Sequence, residues 1–158
     1  MAKNPKAIVK DMTADDNLNT QERQALADAL DDEYKAHETY EQVIRDLGPV
    51  RPFINIVEAE ARHISALLAL FERYGMTPAE NRWAGKTPRF AGVQDACRAG
   101  VQAEIDNVAL YDRLFESTRR PEILSVYQAL RSASQDRHLP AFRRCVERGG
   151  MGRGRGRA

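Results

Sequence analysis

The segment Phe53–Gly75, FINIVEAEARHISALLALFERYG, decides the fold class of this chain. Its apolar residues recur at steps of three and four, which is the spacing of one face of an α-helix. Two polar residues, Glu60 and His63, lie on that apolar stripe one turn apart. Acidic and imidazole groups are seldom buried unless they are paired or bind a metal. The segment therefore predicts a core helix that carries a polar site.

The same helical periodicity recurs in three further segments, at about residues 20–48, 89–114 and 121–148. No segment alternates apolar and polar residues as a half-buried strand does, so the chain is predicted to be all-α. Short turns join the first helix to the second and the third to the fourth, which predicts two antiparallel hairpins. The connection at residues 75–87 is longer. Its thirteen residues can span roughly 43 Å, more than the roughly 33 Å length of helix two. We therefore predict a four-helix bundle with a long connection between helices two and three.

The composition sets broad limits on function. The chain has 158 residues, a net charge of +1 and 30% charged residues, which suits one soluble domain and not a polycation. It contains no apolar run long enough for a membrane span, and residues 1–6 lack a signal-peptide core, which favours the cytoplasm. We predict a flexible segment at 1–17, the bundle at 18–148 and a disordered Gly/Arg-rich tail at 149–158. Such a tail can bind nucleic-acid phosphates, although a solvated end is the simpler interpretation.

Each helical segment carries polar groups near its middle. If the helices pack as a bundle, these groups meet at one level and can share a metal ion. Mixed carboxylate and imidazole ligation suits Fe(II) or Mn(II), and zinc less specifically. The candidate residues are Glu33, Glu60, His63, Glu104 and His138, with Gln135 and His37 beside them.

Four motifs resemble the ferritin-like superfamily of di-iron and di-manganese carboxylate bundles. They are DEYKAHETY at residues 32–40, AEARH at 59–63, AEIDNVALY at 103–111 and RHLPAF at 137–142. More closely, the chain resembles a prokaryotic ferritin-like family described as domain-of-unknown-function family 2202. This resemblance implies that Glu33, Glu60, His63, Glu104 and His138 bind one or two Fe or Mn ions. It also implies a reaction with dioxygen or hydrogen peroxide, of the ferroxidase, peroxidase or catalase kind. Bundles of this class often associate, so a homo-oligomer is expected.

The chain departs from the superfamily pattern at Gln135, where a second bridging glutamate is expected. A neutral amide removes one negative charge and favours a weaker second metal site, or a non-catalytic metal-binding or storage protein. Pro140 cannot donate a backbone hydrogen bond and should kink helix four, which can turn Ser134 or Asp136 inward. His37 lies one turn after Glu33, and a hydrogen bond to that carboxylate is favoured over direct metal ligation.

Cys97 and Cys145 each lie seven residues from a candidate ligand, in the same direction along antiparallel helices. The two thiols should therefore be close, either as small buried side chains or as a redox-active disulfide. Tyr111 is a candidate relay for electrons or protons, although packing in an aromatic core explains it as well. No feature of the sequence predicts a channel for a large organic substrate.

Overall fold

The computed structural model describes residues 17–152, and within them every regular element is helical, as predicted. The helices are α1 (Thr20–Leu47), α2 (Phe53–Arg73), α3 (Val93–Leu114), α4 (Pro121–Ala133) and α5 (Leu139–Gly152), with a π-helical turn at Ser134–His138 between the last two. Residues 1–16 and 153–158 lie outside the described residues, so most of the predicted flexible segment and tail is not addressed. Helix α5 continues to Gly152, past the predicted start of the tail. None of the described helices is long and apolar enough to cross a membrane.

The start of α1 is closed by a reciprocal pair of hydrogen bonds. The Glu22 N–H donates to Asn19 Oδ1 at 2.8 Å, and the Asn19 N–H donates to Glu22 Oε1 at 3.1 Å. This capping box satisfies two backbone donors that the helix cannot satisfy itself. The buried Glu22 carboxylate also accepts hydrogen bonds from Thr118 Oγ1 at 2.6 Å and Arg120 Nε at 3.0 Å. The same glutamate therefore ties α1 to the segment that precedes α4.

Two apolar clusters fix the direction of each helix. One joins the first half of α1 to the second halves of α2 and α3 and the start of α4, through residues that include Leu30, Phe71, Tyr111 and Tyr127. The other joins the opposite ends, through residues that include Tyr40, Phe53, Cys97 and Phe142. Helices α1 and α2 therefore run antiparallel, and α3 runs in the same direction as α2. The candidate polar residues lie between the two clusters.

The connection between α2 and α3 runs along α1, and α3 begins at Val93 instead of directly after Pro88. Trp83 Nε1 donates to Asp31 at 3.1 Å, and Arg82 binds the same carboxylate through two hydrogen bonds of 2.8 Å. Further along, Arg89 forms an ion pair with Asp46, near the end of α1. Because these contacts follow α1 from its middle to its end, the connection returns the chain to the end of the bundle where α2 began.

Helix four is interrupted where Pro140 predicts a kink. The Leu139 N–H bonds to the carbonyl of Ser134, five residues back, which adds one residue to that turn. Pro140 has no N–H to continue the normal ladder. As a result Ser134 and His138 are buried, while Gln135 is exposed.

Candidate metal centre

Five buried side chains from all four helical segments form two three-residue clusters with one shared member. Glu33, Glu60 and His63 form the first, and Glu60, Glu104 and His138 form the second. In each cluster, potential ligand atoms lie within 4.8 Å of one another, and none of these residues is more than 8% exposed. The structure therefore brings together the five residues that the sequence nominates.

The two clusters have nearly the same geometry. His63 Nδ1 lies 3.1 Å from Glu60 Oε2 and 3.4 Å from Glu33 Oε2. His138 Nδ1 lies 3.3 Å from Glu60 Oε1 and 3.5 Å from Glu104 Oε1. Each histidine therefore faces a carboxylate of its own and one oxygen of Glu60. The imidazole rings are stacked, with centroids 5.5 Å apart.

These distances fit ligands arranged around cations. Two ligand atoms about 2.1 Å from one ion and at right angles to each other lie about 3.0 Å apart. His138 Nδ1 is buried and has no hydrogen-bond partner of good geometry, although two carboxylates stand within 3.5 Å. A buried nitrogen without a partner is costly, and a metal ion between the three groups would satisfy it. Carboxylate oxygen with imidazole nitrogen is a donor set suited to Fe, Mn or Zn.

Two tyrosines hold the outer carboxylates in a crossed arrangement. Tyr111 on α3 donates to Glu33 Oε1 on α1 at 2.6 Å, and Tyr40 on α1 donates to Glu104 Oε1 on α3 at 2.8 Å. Burial, and then the adjacent carboxylates, raise the pKa of both phenols well above 10, so both remain donors. The sequence analysis did not nominate Tyr40. A signal was present, because each tyrosine follows the glutamate of its own helix by seven residues.

The charges of the cluster are strongly coupled. Burial, and then repulsion from Glu60, raise the pKa of Glu33 to about 7. Burial favours neutral imidazoles, but the carboxylates beside each ring prevail and raise the pKa of His63 to about 10 and that of His138 to about 9. Burial opposes ionisation of Glu60 as well, yet the two histidines beside it lower its pKa. The cluster therefore favours positive charge at two adjacent points, whether protons or metal ions supply it.

Gln135 does not join the cluster, so its prediction as a ligand or supporting residue is wrong. The extra residue in the π-helical turn places Ser134, four positions before His138, on the inward face. Its hydroxyl donates to Asn107 Oδ1 at 2.7 Å, and Asn107 Nδ2 donates to Asp32 at 2.7 Å. Burial raises the pKa of Asp32 to about 6. The position of the expected second bridging glutamate is therefore filled by the neutral side chain of Ser134, bonded to the neutral amide of Asn107.

His37 also lies away from the cluster, and the predicted hydrogen bond to Glu33 is wrong. Four residues advance about 400° around a helix, so His37 is turned about 40° from Glu33. Its imidazole is partly exposed, with Nδ1 3.9 Å from Glu38 Oε1. Glu38 in turn accepts a hydrogen bond of 2.9 Å from Asn81 in the connection along α1.

Cys97 and Cys145 are close together, as their spacing predicts, and they form a disulfide between α3 and α5. Both are buried in the apolar cluster that contains Tyr40 and Phe142. The apolar cluster that contains the disulfide therefore also contains Tyr40, which donates to the candidate ligand Glu104.

A cleft of about 490 Å³ opens beside the two histidines, between α2 and the segment from α4 to α5. We call it the histidine-face cleft; it is lined by Pro52, Asn55, Ile56, Ala59, Arg62, His63, Ala129, Leu130, Arg137, His138 and Ala141. The sequence did not predict such a space, because residues of α2, α4, the π-helical turn and α5 enclose it together.

Comparisons with known proteins show that solved structures share the fold of this chain. No protein-family model matches the chain, and no curated protein does so. Among solved structures, it is similar to the hypothetical protein MJ0754 from Methanococcus jannaschii, with a TM-score of 0.75 and 21% identity over 94% of this chain and 87% of that one. It is also similar to the conserved hypothetical protein rv2844 from Mycobacterium tuberculosis, with a TM-score of 0.69 and 16% identity over 80% of this chain and 91% of that one.

Proposed function

We propose that this protein is a ferritin-like metalloprotein that binds one or two Fe or Mn ions and reacts with dioxygen or hydrogen peroxide. One observation carries the proposal: two buried carboxylate–histidine clusters share Glu60 at the middle of an all-helical bundle. The resemblance of the four sequence motifs to ferritin-like bundles supports the same interpretation. Membership of family 2202, cytoplasmic location, homo-oligomerisation and nucleic-acid binding through the tail remain predictions.

Each protein group has a defined part in the proposal. Glu33 with His63 would hold one ion, Glu104 with His138 would hold the other, and Glu60 would offer one oxygen to each. Tyr111 and Tyr40 donate hydrogen bonds to Glu33 and Glu104 and thereby fix the orientation of these carboxylates. Bound Fe or Mn would supply one-electron redox chemistry that the side chains alone cannot perform. The apolar clusters on either side limit access of water to the centre.

A second function, metal binding without turnover, is favoured by the turn that contains Ser134. Three carboxylates carry a charge of −3 against +4 for two divalent ions, and Ser134 and Asn107 add none where a fourth carboxylate would stand. A site of this kind can favour the divalent state or hold only one ion firmly. The two functions differ in whether the protein accelerates metal oxidation.

The test uses the three histidines of the chain. Wild type, His63→Ala and His138→Ala are loaded anaerobically with Fe(II), their metal content is measured, and oxidation in air is followed by absorbance. His37→Ala is the matched control, because it removes an imidazole outside the cluster. We expect both site variants to lose metal and to oxidise Fe(II) no faster than buffer, while the control resembles wild type.

The outcomes separate the alternatives. Binding without accelerated oxidation in wild type would leave the non-catalytic function as the correct one. Equal metal content in wild type and in both site variants would refute metal binding at this centre altogether.

A further inference from the structure

The histidine-face cleft has the size and lining of a small-molecule site. Its volume of about 490 Å³ lies within the range of small-ligand pockets. Both histidines line it, and none of the three cluster carboxylates does. Because Nδ1 of each imidazole faces the carboxylates, the opposite ring edge, which carries Nε2, is turned away from them.

Two arginines give the cleft a positive rim. Arg62 and Arg137 directly precede His63 and His138 in sequence, and both line the cleft. Both are exposed, and within residues 17–152 neither forms an ion pair. No acidic residue lines the cleft to balance them. The rim is therefore complementary to an anion, and a guanidinium pair suits a carboxylate in particular.

The second ring nitrogen of each histidine, Nε2, needs a hydrogen-bond acceptor when Nδ1 binds a metal. Histidines that bind a metal through one nitrogen normally donate the other N–H to a carboxylate, a carbonyl or water. Among the described residues, the hydrogen bonds of these two imidazoles involve Nδ1 of His63 only. An anion in the cleft could accept from Nε2 of both rings. The rest of the wall is largely apolar and includes Ile56, Ala59 and Leu130, which suits a hydrocarbon body.

We propose that the histidine-face cleft binds a small organic carboxylate, with its head between Arg62 and Arg137 and its apolar body along α2 and α4. Binding of the carboxylate by the two arginines depends only on the cleft and does not require a metal ion. Donation from the histidines to the ligand rests on the proposed metal binding, because a metal at Nδ1 keeps the proton on Nε2. The bound carboxylate would thereby accept hydrogen bonds from His63 and His138, the two candidate metal ligands that line the cleft.

Calorimetric titration of the full-length protein with octanoate tests the proposal, in metal-free protein and in protein loaded with redox-inert Zn(II). Octan-1-ol and inorganic phosphate are the comparison probes, since each carries only one of the two ligand features. We expect octanoate to bind one per chain, at least about tenfold more tightly than either probe. Arg62→Gln and Arg137→Gln should each weaken binding by about tenfold, the effect of one charge-assisted hydrogen bond. Arg144→Gln, an exposed change on α5 outside the cleft, should have no effect.

A blocking variant tests the location independently of charge. Ala129 is exposed and lines the cleft, so Ala129→Phe should fill it and abolish octanoate binding while the helical circular dichroism is unchanged. Absence of octanoate binding, equal binding by the three arginine variants, or equal affinity for phosphate would each overturn the proposal. Metal content is measured on the same samples. If the wild-type protein binds metal but not octanoate, the carboxylate site is refuted and the metal site is not. If it binds octanoate but not metal, the metal site is refuted and the carboxylate site is not.

Discussion

Glu60 is the one residue common to both clusters, so its substitution should affect both candidate metal ions at once. Glu60→Gln keeps the size of the side chain and removes the negative charge that lies 3.1 Å from His63 and 3.3 Å from His138. By contrast, Glu33→Gln and Glu104→Gln each change a single cluster. With two ions bound in wild type, we expect one in each of the outer variants and none in Glu60→Gln under the same conditions.

The size of the expected loss of metal affinity follows from the number of ligands and charges that Glu60→Gln removes. Each ion would have three protein ligands in this geometry, and Glu60→Gln would weaken one of the three for both ions. Loss of a group that merely supports a ligand lowers metal affinity by about 10- to 100-fold. Loss of the shared ligand charge should therefore lower the affinity for each ion by more than about 100-fold. The net charge of the loaded centre would also rise from +1 to +2, counting −3 and −2 from the carboxylates against +4 from two divalent ions.

The assay is anaerobic equilibrium dialysis against Mn(II) or Fe(II), followed by elemental analysis. Glu58→Gln is the matched control, because it lies on the same helix two residues away and is exposed. Retention of a full-affinity ion in Glu60→Gln, together with loss of both ions in Glu33→Gln, would refute the shared-ligand geometry. A large effect of Glu58→Gln would show instead that general surface charge controls binding.

Three further predictions concern the surroundings of the site. The Cys97–Cys145 disulfide closes a loop with a sequence separation of 48, so replacing both cysteines by alanine should lower the free energy of unfolding by about 4 kcal/mol, and denaturant unfolding with equal results for both proteins would contradict this. Tyr111→Phe removes the hydrogen-bond donor to Glu33 and should weaken metal binding by about 10- to 100-fold in a metal titration. Tyr127→Phe is the control and should bind metal normally, because the buried Tyr127 hydroxyl has no partner among the described residues. Burial opposes ionisation of Glu22, but its hydrogen bonds prevail and lower its pKa below 4.5, so the ionised side chain stabilises the fold above that pH and this contribution is lost on acidification. Glu22→Gln should therefore flatten the fall in unfolding free energy as the pH drops below 4.5, and an unchanged pH dependence in acid would be evidence against this role.

Much of the candidate site was predictable from local sequence. The steps of three and four that define the stripe of α2 place Glu60 and His63 on its inward face, and the same reasoning applies to Glu33 and Glu104. This works because helical periodicity depends on near neighbours only. The capping box at the start of α1 likewise involves residues only three positions apart.

The prediction failed where the helix is irregular. Regular spacing puts Gln135 beside His138, but the π-helical turn before Pro140 places Ser134 there and exposes Gln135. The proline signals an interruption without specifying which residue is displaced. The predicted hydrogen bond from His37 to Glu33 failed for a related reason. At the edge of an apolar stripe, a rotation of about 40° decides whether a side chain faces the core or the surface.

Local periodicity thus predicts the helices, their inward faces and the residue types of the candidate metal centre, since each depends on residues within a turn or two of one another. Distant parts of the chain determine the rest: the crossing of Tyr40 to Glu104 and Tyr111 to Glu33, the disulfide and the histidine-face cleft. These features arise where separate helices pack together, and their geometry is set by the connection along α1 and by the two apolar clusters. No spacing within a single helix encodes a distance between two helices.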